Sequence, residues 1–158
     1  MGKNAEYLRW LYKGGRPNRF ARVQNRLSAL VFSLGVLPGR AGALEVKGRR
    51  SGRNVTFPVV IADYENERYL VSMLGADTNW VRNLQAAGGL AILKHGRRES
   101  VRLVEVDSQD RAPILHRYLT VAPGARPHIP VDRHAPLEAF EQIAADYPVY
   151  RIESAEAG

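Results

Sequence analysis

The sequence has no cysteine, and only four histidines, two methionines and two tryptophans among 158 residues. Without cysteine there is no disulfide, no thiolate-bound zinc, no iron–sulfur cluster and no thiol nucleophile, which suits a reducing cytoplasm. No uninterrupted apolar run approaches the roughly 20 residues that cross a bilayer. Arg and Lys recur through the first residues without the apolar core of a secretory leader. The glycine patterns of dinucleotide and P-loop sites are missing, as are the metalloprotease helix motif and the nucleophile elbow of serine hydrolases. His95, His116, His128 and His134 share no metal-ligand spacing, so no metal is expected.

What is present is a foldable chain with a lopsided positive charge. An apolar share of 45% beside 25% charged residues fits a folded protein, and the length fits a single domain over 1–158. The net charge is +7. Residues 1–26 set Lys3, Arg9, Lys13, Arg16, Arg19, Arg22 and Arg26 against Glu6 alone. Residues 40–53 set Arg40, Lys47, Arg49, Arg50 and Arg53 against Glu45, and residues 94–102 set Lys94, Arg97, Arg98 and Arg102 against Glu99. Such clustering favours an anionic partner at one surface, although the same charges also serve solubility.

The periodicity changes along the chain. Val23, Leu27, Leu30, Val31 and Leu34 form one stripe of a basic amphipathic helix lying within about residues 18–36. That stripe either caps the core or makes peripheral membrane contact. Period-two alternation follows: a strand through Leu44 and Val46, a tight polar turn Gly48–Gly52, a strand Val55–Ala62 interrupted by Pro58, and a strand Arg68–Met73. Asp77 or Thr78 caps a helix that turns Trp80, Val81, Leu84 and Ala87 inward before Gly88-Gly89 stops it. Leu90–Lys94 and Glu99–Val106 form a hairpin. Ser108 caps a helix to about Leu119, and Pro136 opens another that ends before Tyr147. Val149–Ile152 is the last strand, and residues 154–158 read as a flexible tail. About six short, mostly antiparallel strands with helices between them make an α+β small β-barrel with helical packing. Val121–Ala135 is left as a long loop, in which His128 and His134 bracket Asp132 and offer a candidate acid–base group.

The best local signal is Gly48-Arg49-Arg50-Ser51-Gly52-Arg53. Two glycines permit a tight turn with outward N–H groups, and the adjacent guanidiniums can fork onto phosphate or carboxylate oxygens. Read alone, it is as readily a hairpin with solubilising charges. Ser72-Met73-Leu74-Gly75 follows at a strand end, and Asn79-Trp80-Val81-Arg82-Asn83-Leu84 lies on the helix, where Asn83 is a polar group that a buried face would have to satisfy.

Taken in order, LEVKGRRSGR (44–53), Pro58, Tyr69–Met73, NWVRNL (79–84), Ala86–Gly89, the helix end at His116–Leu119 and YPVYRI (147–152) resemble the deazaflavin-dependent nitroreductase family. That family includes the F-420-dependent quinone reductases of actinobacteria. The resemblance implies a split β-barrel related to flavin-binding reductases, and an oxidoreductase that passes hydride from reduced coenzyme F-420 to a quinone-like, nitroaromatic or other activated acceptor. Arg49, Arg50, Ser51 and Gly52 would then meet the coenzyme's phosphate and glutamate tail. Pro58, Ser72, Met73, Trp80 and Asn83 would lie along the deazaflavin ring or its ribityl chain. His128, Pro130 and Asp132 stand where nitro- and quinone-reducing members carry tyrosines, and Met73 stands where Lys is common. Two other readings compete: a split barrel holding flavin, haem or fatty acid, and a basic nucleic-acid-binding barrel in which Trp80 or Tyr64 stacks bases. The partner expected is a small molecule and not nucleic acid; nothing in the sequence marks a dimer seam.

Overall fold

The computed structural model describes residues 38–155. The basic helix expected at about 18–36 lies outside the described residues. Seven strands form, β1 (Ala41–Lys47), β2 (Asn54–Val60), β3 (Ala62–Tyr64), β4 (Glu67–Val71), β5 (Leu90–Lys94), β6 (Arg98–Glu105) and β7 (Val149–Ser154). They pair in the order β2-β1-β5-β6-β7-β4-β3, and every pairing is antiparallel.

The expected strand Val55–Ala62 breaks in two, which is why seven strands form where about six were anticipated. β2 and β3 stand at opposite ends of the strand order yet are separated in the chain by Ile61 alone. One residue spans only about 3.5 Å, so the sheet has to curl until its two edges meet. Ile61 donates its N–H to Arg40 O at 2.7 Å, which fixes the crossing. Pro58 sits in an edge strand, where a missing N–H is tolerated. The result is the expected split β-barrel with flanking helices.

Strand alternation sorts the apolar residues onto two faces. Leu44, Val46, Phe57, Leu70, Leu93, Val101, Leu103, Tyr150 and Ile152 fill the barrel interior together with Trp80, Val81 and Leu84 of α1 (Asn79–Ala86). Their strand neighbours Tyr69, Val71 and Val149 turn outward, against α2 (Ala112–Val121) and α3 (Leu137–Ile143). Phe140, Leu115 and Leu119 are wholly buried there, each contributing about 1.5–3 kcal/mol by leaving water.

Thr78, not Asp77, caps α1: its hydroxyl accepts from Val81 N, while Asp77 pairs with Arg82. Ser108 does not cap α2. Residues Ser108–Asp110 form a separate 3-10 turn, and the helix starts at Ala112. The buried Arg111 between them donates to Val106 O at 2.8 Å, Ala144 O at 3.0 Å and the Glu105 carboxylate at 2.8 Å, tying the start of α2 to the end of β6. The segment Val121–Ala135 is partly ordered by a 3-10 helix at Pro123–His128, with Ala125, His128 and Ile129 buried. Ser154 belongs to β7, paired with Val101, and not to a frayed tail.

Candidate functional site

The strand register brings one set of ends together. Lys47 faces Asn54, Leu90 faces Arg102, Glu105 faces Tyr150 and Val71 faces Val149. The 48–53 turn, the Ser72–Gly75 bend and the start of β7 therefore share one end of the barrel. α1 meets this end: Trp80 packs against Phe57 with ring centroids 5.2 Å apart and meets Tyr150 edge-on at 5.7 Å.

The turn is built by two glycines. Gly48 N donates to Arg53 O at 2.7 Å and Gly52 N to Gly48 O at 2.9 Å. Gly52 has φ +72°, and a Cβ on Gly48 would come within 2.8 Å of Ser51 Oγ, so side chains are unwelcome at both. Ser51 Oγ accepts from Arg53 N at 3.2 Å, which closes the loop from inside. Arg49 reaches across to α1. Its backbone N and its Nη1 both donate to Asn83 Oδ1, at 3.1 and 2.8 Å, and its Nη2 donates to Asn79 Oδ1 at 3.3 Å. Asn83 is only 6% exposed, and these bonds satisfy its carbonyl. Arg50, Ser51, Gly52 and Arg53 remain exposed on the outer side of the turn.

Much of the positive charge found in the sequence is consumed internally. On the outward face of the sheet, Glu45 accepts from Asn54 Nδ2 at 2.7 Å and pairs with Lys94 Nζ at 3.3 Å and Arg98 Nη1 at 3.2 Å. Burial raises its pKa, but the Asn54 bond and the two cations outweigh burial and hold it below the usual value. Arg68 makes a two-pronged pair with Glu99, and Arg40 and Arg117 both hold Asp63. The Arg40 hydrogen bond outweighs burial and, with Arg117, lowers the Asp63 carboxyl to about 2. Among the described residues the side chains of Arg50 and Arg53 form no ion pair or hydrogen bond.

The residues singled out from the sequence are thus only partly brought together. Arg49 and Asn83 join directly, with Arg50, Ser51 and Gly52 displayed beside them. Pro58 is buried in edge strand β2, whose outward residues alternate with the interior Phe57. Ser72 is 1% exposed, and its hydroxyl donates to Gly75 O at 2.5 Å. Met73 packs half-buried against the helical layer. Trp80 lies in the barrel core, where it cannot stack a nucleic-acid base. His128 is buried in the second cluster's neighbourhood, its carbonyl accepting from Tyr147 Oη at 3.3 Å. His134 is exposed, and the Asp132 carboxylate accepts from the His134 backbone N–H at 2.7 Å. Asn79 and Arg53 were not among the expected site residues; the i, i+4 spacing of Asn79 and Asn83, which sets both on one helix face, was the signal that could have found the former.

A turn anchored to a helix, with exposed cations on its outer side, has the donors to hold an anionic ligand. The family model for F-420H(2)-dependent quinone reductase matches residues 21–141. The chain belongs to the F-420H(2)-dependent quinone reductase family. Membership places it among oxidoreductases that depend on reduced coenzyme F-420. A search of curated protein sequences finds no match. Among solved structures, a protein of unknown function from Agrobacterium tumefaciens is similar at a TM-score of 0.53 and 16% identity, covering 73% of this chain and 48% of that one. A heme-binding protein from Mycobacterium smegmatis is similar at a TM-score of 0.51 and 12% identity, covering 83% of this chain and 50% of that one. An F-420 reductase is similar at a TM-score of 0.44 and 14% identity, covering 74% of this chain and 87% of that one. The chain spans about half the length of the first two. At such identities the likeness concerns the fold. Among the described residues no helix is long and apolar enough to cross a membrane.

Proposed function

We propose that this protein transfers hydride from reduced F-420 to a quinone-like or other activated organic acceptor. The observation that carries the reading is the 48–53 turn, anchored to α1 by Arg49 and Asn83 while Arg50 and Arg53 stay exposed, without side-chain partners among the described residues. The donor set suits the coenzyme. Its phosphate and glutamate tail is strongly anionic, and guanidiniums beside a glycine turn supply forked, charge-assisted donors. Its deazaflavin ring is flat and largely apolar, and half-buried Met73, in the bend that shares the turn's end of the barrel, offers it an apolar contact.

When bound, the coenzyme supplies the hydride. The chain's own share of the work is to hold and orient: Arg50 and Arg53 fix the tail, and the rigid barrel end under the turn holds the carrier in register with an acceptor. A reaction of this kind gains most from positioning and needs no protein nucleophile. That agrees with a site end in which Ser72 is sealed by its bond to Gly75. Nitroaromatic acceptors belong to the same reading, because they too accept hydride at an electron-poor centre.

Titrating the purified protein with F-420 and following its fluorescence tests this directly. Binding at micromolar concentration is expected, and its absence at that level overturns the reading. An absorption spectrum showing flavin or haem in the protein as purified would instead favour a binding role for the barrel. Arg50→Ala is expected to weaken F-420 affinity by about 1–3 kcal/mol, the scale of one charge-assisted bond, with the melting temperature unchanged. Unaltered affinity would make the turn merely a turn.

A further inference from the structure

The family likeness assigns Arg49 to the coenzyme's anionic tail and Asn83 to its ring or ribityl chain, but the hydrogen bonds join the two side chains to each other. Arginine carries donors only. With both the Arg49 backbone N–H and its guanidinium directed at one atom of Asn83, that atom has to be the oxygen, so the orientation of the amide is decided by its partner. The Nδ2 group then points away from Arg49 with two N–H donors, and among the described residues it meets no acceptor. A side chain 6% exposed, with one end locked and the other a pair of unspent donors, is a preset hydrogen-bonding group. Asn79 Oδ1, one helical turn earlier, takes the second prong of the same guanidinium and keeps it from rotating.

We infer that Arg49 is a positioning residue. It acts through Asn83, fixing the amide so that Nδ2 donates to a neutral acceptor, a ring carbonyl or ribityl hydroxyl, of the bound coenzyme. The anionic tail is met by Arg50 and Arg53. The inference rests on the proposed F-420 dependence. It also separates two residues that look alike in the sequence: neighbouring arginines of one turn, one facing inward to α1 and one outward to ligand.

The salt dependence of F-420 binding distinguishes the two roles. A cation that contacts the tail releases counterions, so its removal flattens the dependence of affinity on salt, whereas removal of a positioning group lowers affinity and leaves that slope as it was. Kd for F-420 is measured by fluorescence between about 50 and 300 mM salt for the wild type, Arg49→Ala, Arg49→Lys, Arg50→Ala and Asn83→Asp, with a thermal melt of each. Arg50→Ala is expected to lose about tenfold in affinity and to flatten the slope. Arg49→Ala is expected to lose a similar factor at every salt concentration with the slope retained, and Arg49→Lys, which keeps a donor, to recover part of it. Asn83→Asp keeps an acceptor for Arg49 and so should melt no lower than the wild type, while losing about tenfold or more in affinity because its donors are gone.

A flattened slope in Arg49→Ala or Arg49→Lys, matching that of Arg50→Ala, would show that Arg49 touches the tail itself and overturn the inference. Wild-type affinity in Asn83→Asp would do the same. If Arg49→Ala fails to fold, Arg49→Lys and Asn83→Asp still decide. Failure of the wild type to bind F-420 would be the separate failure of the underlying functional reading.

Discussion

A single buried phenol shows how burial sets the cost of a polar atom. Tyr150 is 3% exposed, and its hydroxyl is sealed with no hydrogen-bond partner among the described residues, while its ring rests edge-on against Trp80. Burial first, and then the nearby negative charge of Glu105, push the hydroxyl up to about 12 from 10. Tyr150→Phe removes an unsatisfied group and keeps the ring, so it is expected to be neutral or to stabilise by up to about 1 kcal/mol near neutral pH. The raised value makes the native state resist ionisation. The stability that this linkage contributes is complete below pH 10 and is lost as pH rises through the folded value of about 12. The margin of Tyr150→Phe over the wild type should therefore widen between those limits. A denaturant series at pH 7, 10 and 11 checks this, and a variant clearly less stable at pH 7 would contradict it.

At the level of the element, α1 is short, so its ends and contacts carry more of its stability than propensity does. Its cap is Thr78, whose hydroxyl receives the Val81 N–H. Thr78→Ala is expected to cost about 1 kcal/mol, read in a denaturant melt, whereas Asp77→Ala, which removes an exposed pair with Arg82, should change little. A larger loss in Asp77→Ala would reverse the cap assignment. The existence of α1 and its inward Trp80-Val81-Leu84 face were legible in the sequence because apolar spacing is local. The choice between two adjacent cap residues was not, since either can reach the same N–H. The helix expected from Ser108 fared differently: a 3-10 turn intervenes because Arg111 is drawn inward to three carbonyl oxygens and Glu105.

For the whole molecule, the decisive feature is a curled sheet with two apolar faces. Leu44 belongs to the interior and Phe140 to the helical layer, but β4 and β7 supply residues to both. The two clusters should therefore melt as one unit. Leu44→Ala and Phe140→Ala are expected to cost about 2–5 and 3–5 kcal/mol, a large share of the 5–15 kcal/mol typical of a domain. Each should lower a single common transition. Calorimetry resolving two steps, with Phe140→Ala moving only one, would refute the coupling.

The sequence by itself determined the strands with period-two patterning, the glycine-built 48–53 turn, the amphipathic α1 and the family to which these segments belong, because all of them are written in neighbouring residues. Only the tertiary structure decided what each polar group is used for. Arg49 is taken up by a helix 34 positions away and Arg50 is left to solvent. Lys94 and Arg98 are occupied by Glu45, and Trp80 turns its ring to Phe57 in the core. Ile61 breaks a strand because the two sheet edges must meet there. Partners so distant in the chain are chosen by strand register and by the cost of burying an unpaired charge, and neither is visible in local pattern.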